Sequence, residues 1–64
     1  MKVNGINKQL EESITLEQFL IQEGYSVTKV AVERNGDIVP KLNYNQTVLT
    51  ESDTLEIVHF VGGG

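Results

Sequence analysis

The sequence contains no cysteine, no tryptophan and a single proline in 64 residues. Without cysteine there is no disulfide framework, no thiolate metal ligand and no thiol nucleophile, a composition that fits a reducing cytoplasm. No apolar run approaches the roughly 20 residues a membrane-spanning helix needs, and no secretory leader stands at Met1. A soluble, cytoplasmic chain is expected, with no membrane contact. Cations are also scarce: five lysines and arginines face nine acidic residues, for a formal net charge of −4. Lys2, Lys8, Lys29, Arg34 and Lys41 are scattered, so no basic patch can neutralise a phosphate backbone, and nucleic acid is not expected as a partner. The acidity leaves two readings open: steering toward a positively charged partner surface, or plain solubility.

What is present fits one small domain, which buries only about 60% of the surface its unfolded chain exposes. Two Asn-Gly pairs, Asn4-Gly5 and Asn35-Gly36, each sit between strand-like stretches. Asn-Gly readily takes the two positive φ angles of a type I′ turn, so Met1–Val3 should pair with Ile6–Leu10 and Val30–Arg34 with Asp37–Val39. Pro40 has no amide donor and should end the fourth strand or lie at an edge. Between the hairpins, Thr15 and Gln18 have capping-box spacing, and Leu16, Phe19 and Leu20 form an apolar stripe with Glu23 at its solvent edge. Glu17 suits the positive end of the helix dipole, and Gly24 is placed to stop the helix. Leu42 and Tyr44 fall in a turn or short helical loop, Thr47–Leu49 reads as a short strand, and Glu51-Ser52-Asp53 as a turn. Thr54–Val61, rich in β-branched and aromatic residues, is the clearest strand. The expected class is α+β, a mixed sheet of four to five strands with one main helix on one face.

Side chains alternate across a strand, so Leu55, Ile57 and His59 share one face of the last strand while Glu56, Val58 and Phe60 share the other. One helix covers one face, and Glu56 resists burial, so Leu55 and Ile57 should face the helix. Val58 and Phe60 then point outward as a candidate docking patch for a partner. The sole histidine, His59, has no nucleophile or orienting carboxylate to work with and is expected to be a half-buried strand residue. Neither Glu11-Glu12 nor Glu51 with Asp53 has metal-ligand spacing, and these are read as solvated loop charges. No phosphate-binding glycine motif is present. No catalytic residue and no metal site are expected.

The sequence finishes Phe60-Val61-Gly62-Gly63-Gly64. Three glycines cost entropy when ordered and add no packing, so a structural purpose is poor. Without Cβ atoms they suit threading into a narrow channel, and extended they reach roughly 10 Å. A folded domain over 1–61 and a flexible glycine tail over 62–64 are expected. Val3-Asn4-Gly5, then Val32-Glu33-Arg34-Asn35-Gly36, Ile38-Val39-Pro40, and Leu55 through Gly64 together resemble the thiamine-biosynthesis sulfur carrier (ThiS) family over essentially the whole chain. The related molybdopterin-synthase small subunits usually end in Ala-Gly-Gly, which is absent here. One departure is Glu51-Ser52-Asp53, where the family often places a glycine before the aspartate.

The resemblance implies a ubiquitin-like β-grasp fold and a protein cosubstrate rather than an enzyme. A ThiF-like adenylating enzyme would use ATP and Mg²⁺ to convert the Gly64 carboxylate to an acyl-adenylate. A cysteine desulfurase would supply persulfide sulfur, leaving a thiocarboxylate on Gly64 with Gly62 and Gly63 as its slender lead-in. Thiazole synthase (ThiG-like) would accept the sulfur while building a thiazole from a deoxyxylulose phosphate and a glycine imine. No cofactor bound stably to this chain is implied. The neighbouring alternatives are the same chemistry serving molybdopterin, and a ubiquitin-like modifier joined to lysines.

Overall fold

A computed structural model describes residues 1–60 of the chain. The chain order is β1 (Lys2–Val3), β2 (Ile6–Asn7), α1 (Leu16–Gln22), β3 (Val30–Arg34), β4 (Asp37–Ile38) and β5 (Thr54–His59), with 3-10 turns at Val27–Lys29 and Lys41–Asn43. Among the described residues five strands form one sheet in the order β2-β1-β5-β3-β4. β5 pairs parallel with β1 and antiparallel with β3, and the other neighbours are antiparallel hairpins. Two hairpins flanking a central last strand, with one helix packed across the sheet, make a ubiquitin-like β-grasp.

Both hairpins turn on their Asn-Gly pairs. φ is 51° at Asn4 and 81° at Gly5, and 53° at Asn35 and 90° at Gly36, as a type I′ turn requires. The first hairpin is shorter than the expected Ile6–Leu10 arm. Its register sets Lys2 opposite Asn7 and the Lys8 N–H on the Met1 carbonyl, and the ladder does not reach Gln9 or Leu10. β4 is assigned to Ile38, although the Val39 N–H still bonds the Val32 carbonyl before Pro40 ends the ladder.

The helix carries the full capping box: the Gln18 N–H donates to Thr15 Oγ1, and the Thr15 N–H donates to Gln18 Oε1. At the other end Gly24, at φ 84°, donates to Ile21 while Tyr25 reaches back to Leu20, the paired bonds of a Schellman stop. Leu16, Phe19 and Leu20 pack against Val30, Val32, Leu55 and Ile57, and Tyr44 and Leu49 close the core from the long loop. Fully burying each large apolar side chain contributes about 1.5–3 kcal/mol. Tyr44 is more deeply placed than a turn position implies: it is buried, its hydroxyl donates to the Val30 carbonyl, and burial raises its phenol above the usual pKa.

Three expectations need correction. Thr47–Leu49 is not a sheet strand but a single bridge, Thr15 to Val48, flanked by bonds from Leu16 to Thr47 and from Leu49 to Ile14. Its neighbour turns helical at Leu16, so the pairing cannot propagate. His59 is exposed rather than half-buried. A seven-residue helix spans about 10 Å, while a six-residue strand runs about 20 Å. The far end of β5 therefore outruns its cover, and the His59 ring lies beside Tyr25, 5.5 Å between centroids. Asp53 is not a solvated loop charge: it is 3% exposed. Its carboxylate accepts from Arg34 Nε at 3.0 Å, Asn35 Nδ2 at 3.0 Å and the Thr50 N–H at 2.9 Å. The expected extension of the last strand to Val61, and the tail Gly62, Gly63 and Gly64, lie outside the described residues.

The two turn asparagines do more than turn the chain. Asn4 donates through Nδ2 to the Ile57 carbonyl at 3.2 Å and accepts the Ile57 N–H on Oδ1 at 2.7 Å, while its own N–H bonds the Leu55 carbonyl. β1 has ended, and the Asn4 amide continues its ladder along β5. From the other side Asn35 accepts the Thr54 N–H on Oδ1 at 2.9 Å, and its backbone N–H donates to the Thr54 carbonyl. β5 is thus clasped along one edge by Asn4 and at its start by Asn35.

Two outcomes follow for stability. Asn4→Gly keeps the positive φ but strands the Ile57 N–H, and should cost about 1–3 kcal/mol by urea unfolding. Asn4→Ala should cost about 1 kcal/mol more, because alanine resists that φ; equal losses would deny the backbone share of the effect. For Asp53, burial raises the pKa, but bonds from the Thr50 amide, Asn35 and Arg34, with the Arg34 charge, together outweigh it and the net pKa is lowered. Its stabilisation is therefore complete above the unfolded value of about 3.9 and is lost as pH falls through the folded value. Asp53→Asn should be less stable at neutral pH and lose less stability than wild type on acidification below about pH 4. Parallel stability profiles for the two proteins would contradict this.

Candidate functional site

The pairing of β5 dictates what its outer face presents. Leu55 and Ile57 are buried against α1, so Thr54, Glu56 and Val58 alternate onto the opposite face, and Phe60 continues it. Among the described residues no helix covers that face. Val58 is 61% exposed and Phe60 45% exposed. From neighbouring strands Ala31 stands opposite Val58, and Ile38 stands beside Glu33 and is itself exposed. Val58 and Phe60, expected to point outward together, do so.

Phe60 is placed by backbone and side chain alike. Its N–H donates to the Lys29 carbonyl at 3.0 Å, one step beyond the β3–β5 ladder. Its ring lies 5.1 Å from Lys41 Nζ, which also sits 5.5 Å from the Tyr44 ring and donates to the Val30 carbonyl. Lys41 follows Pro40, whose fixed φ turns the chain off the sheet edge and brings the lysine to the end of β3. An apolar groove of about 200 Å³, lined among others by Val39, Pro40, Lys41 and Phe60, results. Its charged rim, the Lys41 ammonium, faces the ring at the root of the expected tail.

His59 faces away from Val58 and has an aromatic neighbour instead of an orienting carboxylate. No cluster of three or more metal-ligating side chains occurs among the described residues. A concavity of about 540 Å³ lies on the other side of the molecule between the β2–α1 loop and α1, and Lys8, Glu11, Glu12 and Glu23 give it a charged rim. Among the described residues no helix is long and apolar enough to cross a membrane. The outer face of the central strand begins polar, with Thr54 and Glu56, and ends apolar, with the exposed Val58 and Phe60. Gly62, Gly63 and Gly64, the expected lead-in and carrier, lie outside the described residues.

Sequence reasoning missed the Asn4, Asn35 and Lys41 contacts that hold this strand. Some signal was present: both hairpins use asparagine rather than aspartate or a second glycine, and a neutral amide can donate and accept at once. Nothing local pairs Lys41 with Phe60, which are 19 residues apart in sequence and meet only through the fold.

Comparison with known proteins agrees with this geometry. The ThiS family model matches residues 1–64. The sulfur carrier protein ThiS of Bacillus subtilis is 37% identical over 65 residues, covering 100% of this chain and 98% of that protein. Thiazole synthase of Paramagnetospirillum magneticum is 47% identical over 62 residues, which are 97% of this chain but 19% of the synthase. The chain thus spans about a fifth of the length of that relative. A crystal structure of the thiamine biosynthesis protein ThiS from Geobacter metallireducens superposes with a TM-score of 0.80 at 27% identity, covering 98% of this chain and 96% of that one. By sequence over its whole length and by fold, this chain belongs to the ThiS family.

Proposed function

We propose that the chain is a sulfur carrier for thiamine biosynthesis that works through the carboxylate of Gly64. The observation that carries the reading is the full-length match to a sulfur carrier, joined to a central strand whose outer face ends in exposed Val58 and Phe60 and which is followed in sequence by three glycines. The similarity to thiazole synthases supports that enzyme as the sulfur acceptor.

A carboxylate is a poor acyl donor because an oxide would have to leave. A ThiF-like adenylating enzyme solves this with its own ATP and Mg²⁺. A Gly64 oxygen attacks the α-phosphorus, pyrophosphate departs, and the acyl-adenylate carries AMP as a good leaving group. Persulfide sulfur, supplied by a cysteine desulfurase, attacks the acyl carbon and AMP leaves with the original oxygen. A thiol then breaks the remaining S–S bond, forming a disulfide and releasing the thiocarboxylate. Its sulfur is the nucleophile passed to thiazole synthase.

This chain contributes binding and delivery. The four residues beyond Phe60 span at most about 14 Å, enough to enter a chamber that the domain itself cannot. Gly62 and Gly63 present no side chain to such a channel. Val58 and Phe60 dock the partner, and the Phe60 ring, set by Lys41, aims the exit.

Incubation with ATP, Mg²⁺, the adenylating enzyme and a desulfurase should add the mass of one sulfur in place of one oxygen, localised to Gly64 by fragmentation. An unchanged mass, or sulfur at another residue, would overturn the reading. Phe60→Asp should weaken docking by about tenfold or more, the effect of roughly 1.4 kcal/mol, while the melting temperature stays near wild type. Unaltered transfer kinetics would remove Phe60 from the docking surface.

A further inference from the structure

Asn-Gly is the dipeptide in which deamidation meets least obstruction, and this chain places one at the tip of each hairpin. Glycine has no Cβ to shield its amide nitrogen, so that nitrogen can lose its proton and attack the preceding carboxamide carbon. Ammonia leaves as a succinimide closes, and water opens the ring to aspartate or isoaspartate. One water enters and one ammonia departs. Among the described residues nothing crowds Gly5 or Gly36 where a Cβ would stand, and Asn4 and Asn35 are both exposed, so water reaches both tips. The fold opposes the reaction from the asparagine side. Asn35 Oδ1 accepts the Thr54 N–H at 2.9 Å while its Nδ2 donates to Asp53 Oδ1 at 3.0 Å. The Asn4 carboxamide is held in the same two-sided way by the Ile57 N–H and carbonyl. A carboxamide anchored through both atoms cannot turn its carbon toward the glycine nitrogen until both bonds break. Every anchor belongs to β5 or to Asp53, the residue that precedes it.

We infer that Asn4 and Asn35 are coupled deamidation sites, protected while β5 is seated, and that modification of either one speeds the reaction at the other. The coupling lies in the products. Aspartate at position 35 loses the donor to Asp53 and sets a second carboxylate against it, and Asp53 is too buried to shed the repulsion to water. Aspartate at position 4 loses the donor to the Ile57 carbonyl and points a carboxylate oxygen at it. Isoaspartate adds a backbone atom and breaks the two-residue turn itself. Each product loosens β5, and a looser β5 releases the remaining carboxamide more often. This chemistry is independent of the sulfur-carrier reading and stands or falls without it.

The test ages the purified chain at mildly alkaline pH and follows each site by peptide mapping with mass spectrometry. Folded protein should modify both sites about tenfold or more slowly than the same chain held unfolded in urea. Asn35→Asp, which mimics one product, should raise the Asn4 rate about tenfold, the ratio that corresponds to about 1.4 kcal/mol lost from the clasp. Asn45→Asp adds the same charge in an exposed loop and should leave the Asn4 rate unchanged. In aged wild type, chains modified at both sites should exceed the product of the two single-site fractions. That last reading needs no variant, so it decides the coupling even if Asn35→Asp does not fold. Equal rates in the folded and urea-unfolded chain would overturn the protection. An Asn4 rate indifferent to the state of residue 35, or doubly modified chains at the product of the single fractions, would overturn the coupling.

Discussion

The position of β5 at the centre of the sheet is the constraint on which the remaining structure depends. A chain end is ordinarily the least constrained part of a domain. Here the last strand is bonded on both edges, parallel to β1 and antiparallel to β3, and its inner face supplies Leu55 and Ile57 to the core. β1 is too short to pair with all of it, and the Asn4 side chain supplies the missing donor and acceptor at Ile57. At the opposite end Asn35 and the buried Asp53 fix where the strand begins. The hairpins therefore serve as clasps on the strand between them as much as local turns.

This arrangement joins stability to delivery. Burying one face of β5 under α1 forces the other outward, so the same alternation that builds the core generates the exposed Val58 and Phe60 surface. The seven-residue helix leaves the end of β5 uncovered on its inner face. Lys41 reaches that end from the loop after Pro40 and pairs its ammonium with the Phe60 ring. On the reading proposed above, the domain's contribution would be a firm base from which a thin segment is offered to another protein.

Much of this was legible in the sequence because the governing signals are local. The Asn-Gly turns, the Thr15–Gln18 capping box, the stop at Gly24 and the alternation of Leu55 through Phe60 each arise within a few residues. The errors concern relations between distant segments. Thr47–Leu49 has strand-like residues, but its neighbour becomes helical at Leu16 and allows only one bridge. His59 follows the correct alternation, yet its burial depended on a helix length measured against strand length. Asp53 resembles an ordinary turn aspartate until β3 brings Arg34 and Asn35 to it. The glycines carried their meaning through family resemblance, since Gly-Gly-Gly by itself has no physical signature of a carrier.

The firmness of β5 can be measured residue by residue through native-state hydrogen exchange. The amides of Glu56, Ile57 and Val58 should exchange only through global unfolding, with protection matching the full stability of the domain, while the Phe60 amide, held by Lys29 alone, opens more readily. Exchange of the Ile57 amide through a local opening far below the global free energy would contradict the account, because the strand would then be a loose end instead of a base.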